Sequence, residues 1–141
     1  MDIMDLAAIS RGKNSDSASG LFEPGSQKYL QMAGQLIDIA PNVIYIVDGR
    51  GRFRFVNKYA CNLLGYTQKE LFSMTYLDLV APLYRERVKK FYLRQIMKGR
   101  TTTYLEFPVL SKTGGEVWVG QRVLMLQEPP LIGFFAIGRE R

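Results

Sequence analysis

The sequence contains no histidine and one cysteine, Cys61, in 141 residues. The first absence removes the usual proximal haem ligand, the Ser/His/Asp and Cys/His nucleophile systems and most zinc sites. The second excludes an intrachain disulfide or a cysteine zinc cluster, and it fits a reducing compartment. Cys61 itself reads as a small apolar residue in a packed helix, because that helix offers nothing to stabilise a thiolate. No apolar run approaches the roughly 18 residues needed to cross a membrane. The acidic start Met1-Asp2-Ile3-Met4-Asp5 is not the basic opening of a signal peptide, so a cytoplasmic location without membrane insertion is expected. Paired catalytic carboxylates are also missing. Asp48, Glu70, Asp78, Glu106 and Glu116 each lie beside a turn, a cap or a basic strand neighbour, and none pairs at a recognisable spacing. Gly49-Arg50-Gly51 lacks the rest of a phosphate-binding loop and reads as turn glycines.

What is present is a globular composition, 47% apolar and 12% aromatic, at a length suited to one domain with extra terminal sequence. The net charge of +6 and pI near 9.5 invite a nucleic-acid reading. The charges argue against it. Arg50, Arg52 and Arg54 alternate on one hairpin face, and Arg85, Arg87, Lys89, Lys90, Arg94 and Lys98 line the outside of a long helix, so a solvated polar face accounts for both and no nucleic-acid partner is expected.

Pro41 to Thr67 organises the chain. Val43 to Val47 is a β-branched and aromatic run, Asp48-Gly49-Arg50-Gly51 a tight turn with two residues that tolerate positive φ, and Phe53, Phe55 and Val56 resume a strand, which makes a β-hairpin. Asn57 stands at the N-cap of Lys58 to Leu64, with Gly65 at its left-handed end. Thr67 and Glu70 form a capping box for another short helix. Before the hairpin, residues 1–25 are Ser/Gly/Asn/Asp-rich and read as a linker. Residues 26–39 hold an amphipathic helix, with Ser26 as N-cap, Tyr29, Met32, Leu36 and Ile39 as its stripe, and Leu30, Ala33 and Ile37 widening it.

Downstream, Tyr76 to Val80 reads as a connector, and Pro82 opens the longest helix, ending at Gly99, with Tyr84, Val88, Phe91, Tyr92 and Ile96 as its buried stripe. Thr101 to Leu110 is a half-buried strand in which Pro108 suggests an edge or a bulge. Glu116 to Leu126 places Val117, Val119, Gln121, Val123 and Met125 on one face and Trp118, Gly120, Arg122, Leu124 and Leu126 on the other. Pro129-Pro130 breaks the chain. Leu131 to Gly138 then carries Phe134, Ala136 and Gly138 on one face and Phe135 and Ile137 on the other. Apolar residues on both faces imply that both are covered.

Several of these residues, taken in order, resemble the PAS family of sensory modules: Ala40-Pro41-Asn42, Ile46-Val47-Asp48 with Gly51, Val56-Asn57, Leu63-Leu64-Gly65-Tyr66, Glu70-Leu71, Lys112-Thr113-Gly114 and Trp118. The resemblance spans about Ala40 to Gly138 and places the domain at residues 40–141. It implies an α+β fold: a five-stranded antiparallel sheet with short helices and one long helix on one face, preceded by the amphipathic N-terminal helix. The chain departs from the flavin-binding light-sensing subgroup, whose reactive cysteine sits in an Asn-Cys-Arg-Phe-like motif. Here that place is held by Tyr76-Leu77-Asp78-Leu79, so cysteinyl-flavin chemistry is not expected.

With histidine-ligated haem excluded as well, a small apolar or amphipathic metabolite remains, or no ligand at all. Phe107, Val109, Val119, Phe134, Ala136 and Gly138 are candidates to line a cavity, the small residues leaving room. Gln121, the lone amide on that face, either orients a ligand or bonds a nearby backbone group. No catalytic residue and no metal ligand is expected. The resemblance implies a regulatory sensor of a larger signalling protein, such as a sensor histidine kinase, a diguanylate cyclase or a transcriptional regulator, that passes a ligand or redox state to an output domain. It also implies a homodimer through the N-terminal helix and the outer sheet face. The rival is a stand-alone small-molecule carrier or enzyme, which would need an ionisable group facing inward, where Gln121 is the one polar residue that strand parity places.

Overall fold

A computed structural model of the chain describes residues 27–128 and 131–141. Residues 1–25, the Ser26 cap and the Pro129-Pro130 break lie outside the described residues. The chain runs α1 (Gln27–Ile39), β1 (Val43–Asp48), β2 (Phe53–Val56), α2 (Lys58–Leu64), α3 (Gln68–Phe72), α4 (Tyr76–Leu79), a 3-10 turn (Pro82–Tyr84), α5 (Arg85–Met97), β3 (Thr102–Leu110), β4 (Glu116–Glu128) and β5 (Leu131–Glu140). The expected connector at Tyr76 is thus a short helix. Thr75 caps it, its hydroxyl accepting from the Asp78 amide, while the Asp78 carboxylate accepts from the Thr75 amide at 2.9 Å.

The five strands form one antiparallel sheet in the order β2-β1-β5-β4-β3. The hairpin is tightened by Asp48, whose carboxylate accepts from the amides of Arg50 and Arg52 at 2.9 and 3.0 Å. Only Gly51 of the two turn glycines takes positive φ, 82°, and a Cβ there would meet the Tyr76 ring at 2.9 Å. Its bareness is what lets the turn close onto α4. Pro108 lies in β3, an edge strand, as its missing N–H requires, and its carbonyl accepts from the Ala81 amide on the open side.

The core lies between the inner sheet face and helices α2 to α5. Leu71, Val80 and Val88 are fully buried there with Val47, Val56, Ala60, Val119 and Val123, each leucine or valine contributing about 1.5–3 kcal/mol by leaving water. Along α5 the buried positions are Val88, Tyr92 and Gln95. Ile96, expected in the stripe, is 39% exposed instead, because the 3.6-residue period brings Gln95 rather than its neighbour back over the sheet. Gln95 is accommodated by bonds at both ends. Its amide donates to the Thr101 and Val123 carbonyls and its oxygen accepts from the Thr103 hydroxyl at 2.7 Å.

Asn57 does more than cap α2. Its Oδ1 accepts from the amides of Ala60 and Ile44, and its Nδ2 donates to the carbonyls of Ile37 and Asn42 at 2.8 and 2.9 Å. One fully buried amide therefore ties the last turn of α1 to β1 and α2. The faces of α1 fall differently from expectation. Leu30 is buried and Ala33 and Ile37 are half-buried, whereas Tyr29, Met32, Leu36 and Ile39 are exposed, the last two at 65% and 76%. Among the described residues no helix is long and apolar enough to cross a membrane.

Candidate functional site

A cavity of about 180 Å³ lies between the centre of the sheet, the hairpin turn, α4 and α5. Strand pairing builds its floor. Tyr45 of β1 lies opposite Ala136 of β5, and Ala136 lies opposite Val123 of β4, so a methyl group between two larger residues leaves the space above it unfilled. Val47 and Phe134 continue the floor, and Tyr76, Leu77 and Tyr92 close it from above. Arg50, Lys89, Leu93 and Ile96, all exposed, stand at its mouth. A smaller void of about 40 Å³ lies deeper in the core, lined in part by Phe107, Val109 and Val119.

Gln121 borders both spaces and anchors the polar wall. The Tyr45 hydroxyl donates to its Oε1 at 3.0 Å, and its Nε2 donates to the Tyr92 hydroxyl at 2.9 Å. Neither partner is the backbone group that the alternative reading of Gln121 required. Burial pushes the Tyr45 and Tyr92 hydroxyls well above the ordinary phenol range, the Gln121 bond opposing it in both, and burial pushes Tyr76 up to about 12. All three stay protonated at neutral pH and act as neutral hydrogen-bonding groups. Tyr92 is held by edge-on contacts with Tyr76 and Phe91 at centroid distances of 5.8 and 5.2 Å.

The candidate residues divide among these places. Gln121, Phe134 and Ala136 line the larger cavity, while Phe107, Val109 and Val119 line the smaller one together with Gln121. Gly138 lines neither. It sits opposite Gln121 in the β4–β5 pair, and a Cβ on it would meet the Gln121 Cβ at 2.8 Å. Its small size serves close strand packing rather than ligand space. Gln121 is also not the lone inward polar residue, since Tyr45, Tyr76 and Tyr92 share the wall. Tyr45 was recoverable from the parity of Val43, Tyr45 and Val47; Tyr76 was hidden by reading α4 as a connector.

Cys61 is half-buried, and burial, with the Asp38 carboxylate as a second cause, pushes its thiol up, away from thiolate character. Among the described residues no group of three or more His, Cys, Asp or Glu side chains is placed to hold a metal ion. On the outer sheet face, Trp118 stacks edge-on with Tyr84 at 5.5 Å and lies under the Arg141 guanidinium at 4.7 Å. Trp118 is thus taken up by contacts within the chain, while on the same outer face Leu124 and Ile137 are exposed and Phe135 is half-buried.

An open antiparallel sheet in this strand order, with helices α2 to α5 packed on one face over a central cavity, matches known proteins. The family model of the PAS fold covers residues 32–141. The chain belongs to the PAS family. Solved structures agree at the level of fold. A PAS domain of a two-component sensor histidine kinase superposes with a TM-score of 0.66 at 18% identity, covering 80% of this chain and 96% of that one. A PAS domain from Colwellia psychrerythraea gives 0.72 at 18%, covering 80% and 97%. A domain of a sensory box sensor histidine kinase/response regulator from Geobacter sulfurreducens gives 0.64 at 23%, covering 79% and 95%. The curated proteins hold no match. The helices and sheet of this PAS domain thus follow the architecture that the sequence resemblance implied.

Proposed function

We propose that this PAS domain is the ligand-sensing and dimerising module of a larger cytoplasmic signalling protein, a sensor histidine kinase in the first instance, or a diguanylate cyclase or transcriptional regulator, and that it has no catalytic role of its own. The observation that carries this is the cavity above Ala136. It lies on the central strands, and β5, which forms its floor, runs on to the chain's last residues. A molecule settling against Gln121, Tyr92 and Ala136 shifts β4 and β5 together, and that shift reaches Arg141 at one end and, through β1 and Asn57, α1 at the other. The rival carrier or enzyme reading has less support: among the described residues no acid, cysteine or histidine lines the cavity, and its phenols are held neutral.

The second copy of the domain docks on the exposed stripe of α1, Met32, Leu36 and Ile39, and on the exposed Leu124 and Ile137 of the outer sheet face. Exposed apolar stripes of this kind mark association sites in soluble proteins, and the opposite face of the same helix is turned toward its own domain. Light scattering on the purified 141-residue chain tests this. The wild type is expected to be dimeric at high micromolar concentration and Leu36→Glu monomeric, with unchanged circular dichroism. A wild type that stays monomeric overturns the dimerising role.

A further inference from the structure

Resting on the reading of the cavity as a sensory site, we propose that its ligand is a small organic monoanion, a carboxylate on a body no larger than one ring. Size comes first. At about 180 Å³ the space is close to the about 150 Å³ that takes a single benzene ring, and below the range of sites that hold drug-sized molecules.

Hydrogen-bond counting sets the polarity. The wall runs as a directed chain, Tyr45 hydroxyl to Gln121 oxygen, then Gln121 nitrogen to Tyr92 hydroxyl. Tyr92 is the acceptor of the last bond, so its own proton has no acceptor among the described residues. Turning the Gln121 amide end over reverses the direction and leaves the Tyr45 proton unspent instead. In either orientation one buried phenol on the cavity wall keeps a donor to offer. The Tyr76 hydroxyl adds another, with no hydrogen-bond partner among the described residues. A ligand that satisfies these groups must bring acceptors.

Charge points the same way. Arg50 and Lys89 stand at the mouth, no acidic side chain lines the cavity, and neither cation has an ion-pair partner among the described residues. They reach the site from two separate elements, the hairpin turn and α5. Their fields add at the opening, where an anion gains most because the wall behind it is apolar. A carboxylate accepts from a phenol within the combined field of both cations, while its ring rests on Ala136, Val123 and Phe134.

The test is titration of the ¹⁵N-labelled chain with sodium benzoate and, separately, with benzyl alcohol, its neutral counterpart of nearly equal size. Binding is followed on the Val123 and Ala136 backbone amides and the Gln121 side-chain amide. Benzoate is expected to bind at least about tenfold more tightly, the combined effect of two partly solvated charges. The double variant Arg50→Gln/Lys89→Gln, altered at two exposed positions, should lose that preference while binding benzyl alcohol as before, and Tyr92→Phe should weaken benzoate more than benzyl alcohol. Equal affinity of the wild type for both probes overturns the anion assignment and leaves the cavity as an apolar sensor site. If neither probe moves these resonances at millimolar concentration, the sensory reading of the cavity falls with it. Loss of benzyl alcohol binding in the folded double variant, checked by its thermal melt, also overturns the charge argument.

Discussion

Replacing Asn57 by Asp separates a helix cap from a structural junction. As a cap alone, position 57 accepts Asp as readily as Asn, and the change would be close to neutral. The structure gives the amide nitrogen separate work. Nδ2 donates to the carbonyls of Ile37 and Asn42 at 2.8 and 2.9 Å from a side chain with no solvent exposure. In Asn57→Asp an oxygen takes that place and faces two carbonyl oxygens. Two buried acceptors lose their donor at about 1–3 kcal/mol each, and an ionised carboxylate without a countercharge adds to the loss, so about 3–5 kcal/mol is expected near neutral pH. With a urea slope of about 2 kcal/mol/M, the midpoint falls by about 2 M. The new carboxyl has a raised folded-state pKa. Its protonated form is therefore favoured in the fold, and the deficit is largest at neutral pH, narrows as pH falls through that raised value, and has reached its minimum by about pH 4, where the unfolded chain is protonated too. Urea melts at pH 7 and pH 4, read by circular dichroism, measure both. A variant within about 0.5 kcal/mol of wild type at pH 7 would refute the junction, since an ordinary surface substitution costs that much.

Gly138→Ala should destabilise by about 1–3 kcal/mol through overpacking, since its methyl meets the Gln121 Cβ at 2.8 Å; a neutral thermal melt would show that β4 and β5 have slack there. Ala136→Leu, by contrast, should fill the cavity, keep the fold and abolish the benzoate response, and unfolding of that variant would mean that the space is not available to a side chain. The Lys112 ammonium, 2.6 Å from Glu70, together with the Thr67 amide, holds the Glu70 carboxyl down at about 2. A depressed carboxyl stabilises above its ordinary value, about 4.5, and loses that contribution as pH falls through about 2. Glu70→Gln should therefore flatten the acid limb of the stability profile between those values, and an acid limb identical to wild type would count against the pair. The buried phenols act at the other extreme. With Tyr76 raised to about 12 and Tyr45 and Tyr92 raised further by burial, folding keeps its full benefit below about pH 10 and loses it as pH climbs toward 12. The exposed tyrosines titrate first, and the last phase of the tyrosine absorbance change should coincide with loss of circular dichroism; complete phenol titration while the circular dichroism is still native would place these three rings in solvent.

The sequence by itself determined whatever is decided within one turn or one strand repeat. The bond from Asn57 to the Ala60 amide, the left-handed Gly65 and the Thr67–Glu70 capping box each involve residues no more than a few positions apart, so their chemistry is legible as spacing. Strand parity likewise separated the faces of β4, and the missing N–H of Pro108 predicted its edge position. Tertiary structure decided the rest. Periodicity showed that α1 is broadly apolar, but which stripe turned inward depended on the surface it met, and Leu30, Ala33 and Ile37 took that side. Gln121 reads alike whether it bonds backbone, ligand or side chain. Only the fold brings Tyr45 to it from 76 positions away and Tyr92 from 29. Gly138 and Ala136 are both small residues on the same strand face, yet one fills a close strand approach and the other floors a cavity, because the residue across the pair, Gln121 for one and Val123 for the other, sets how much room remains. Local chemistry is written in neighbours along the chain, whereas free volume depends on neighbours in space.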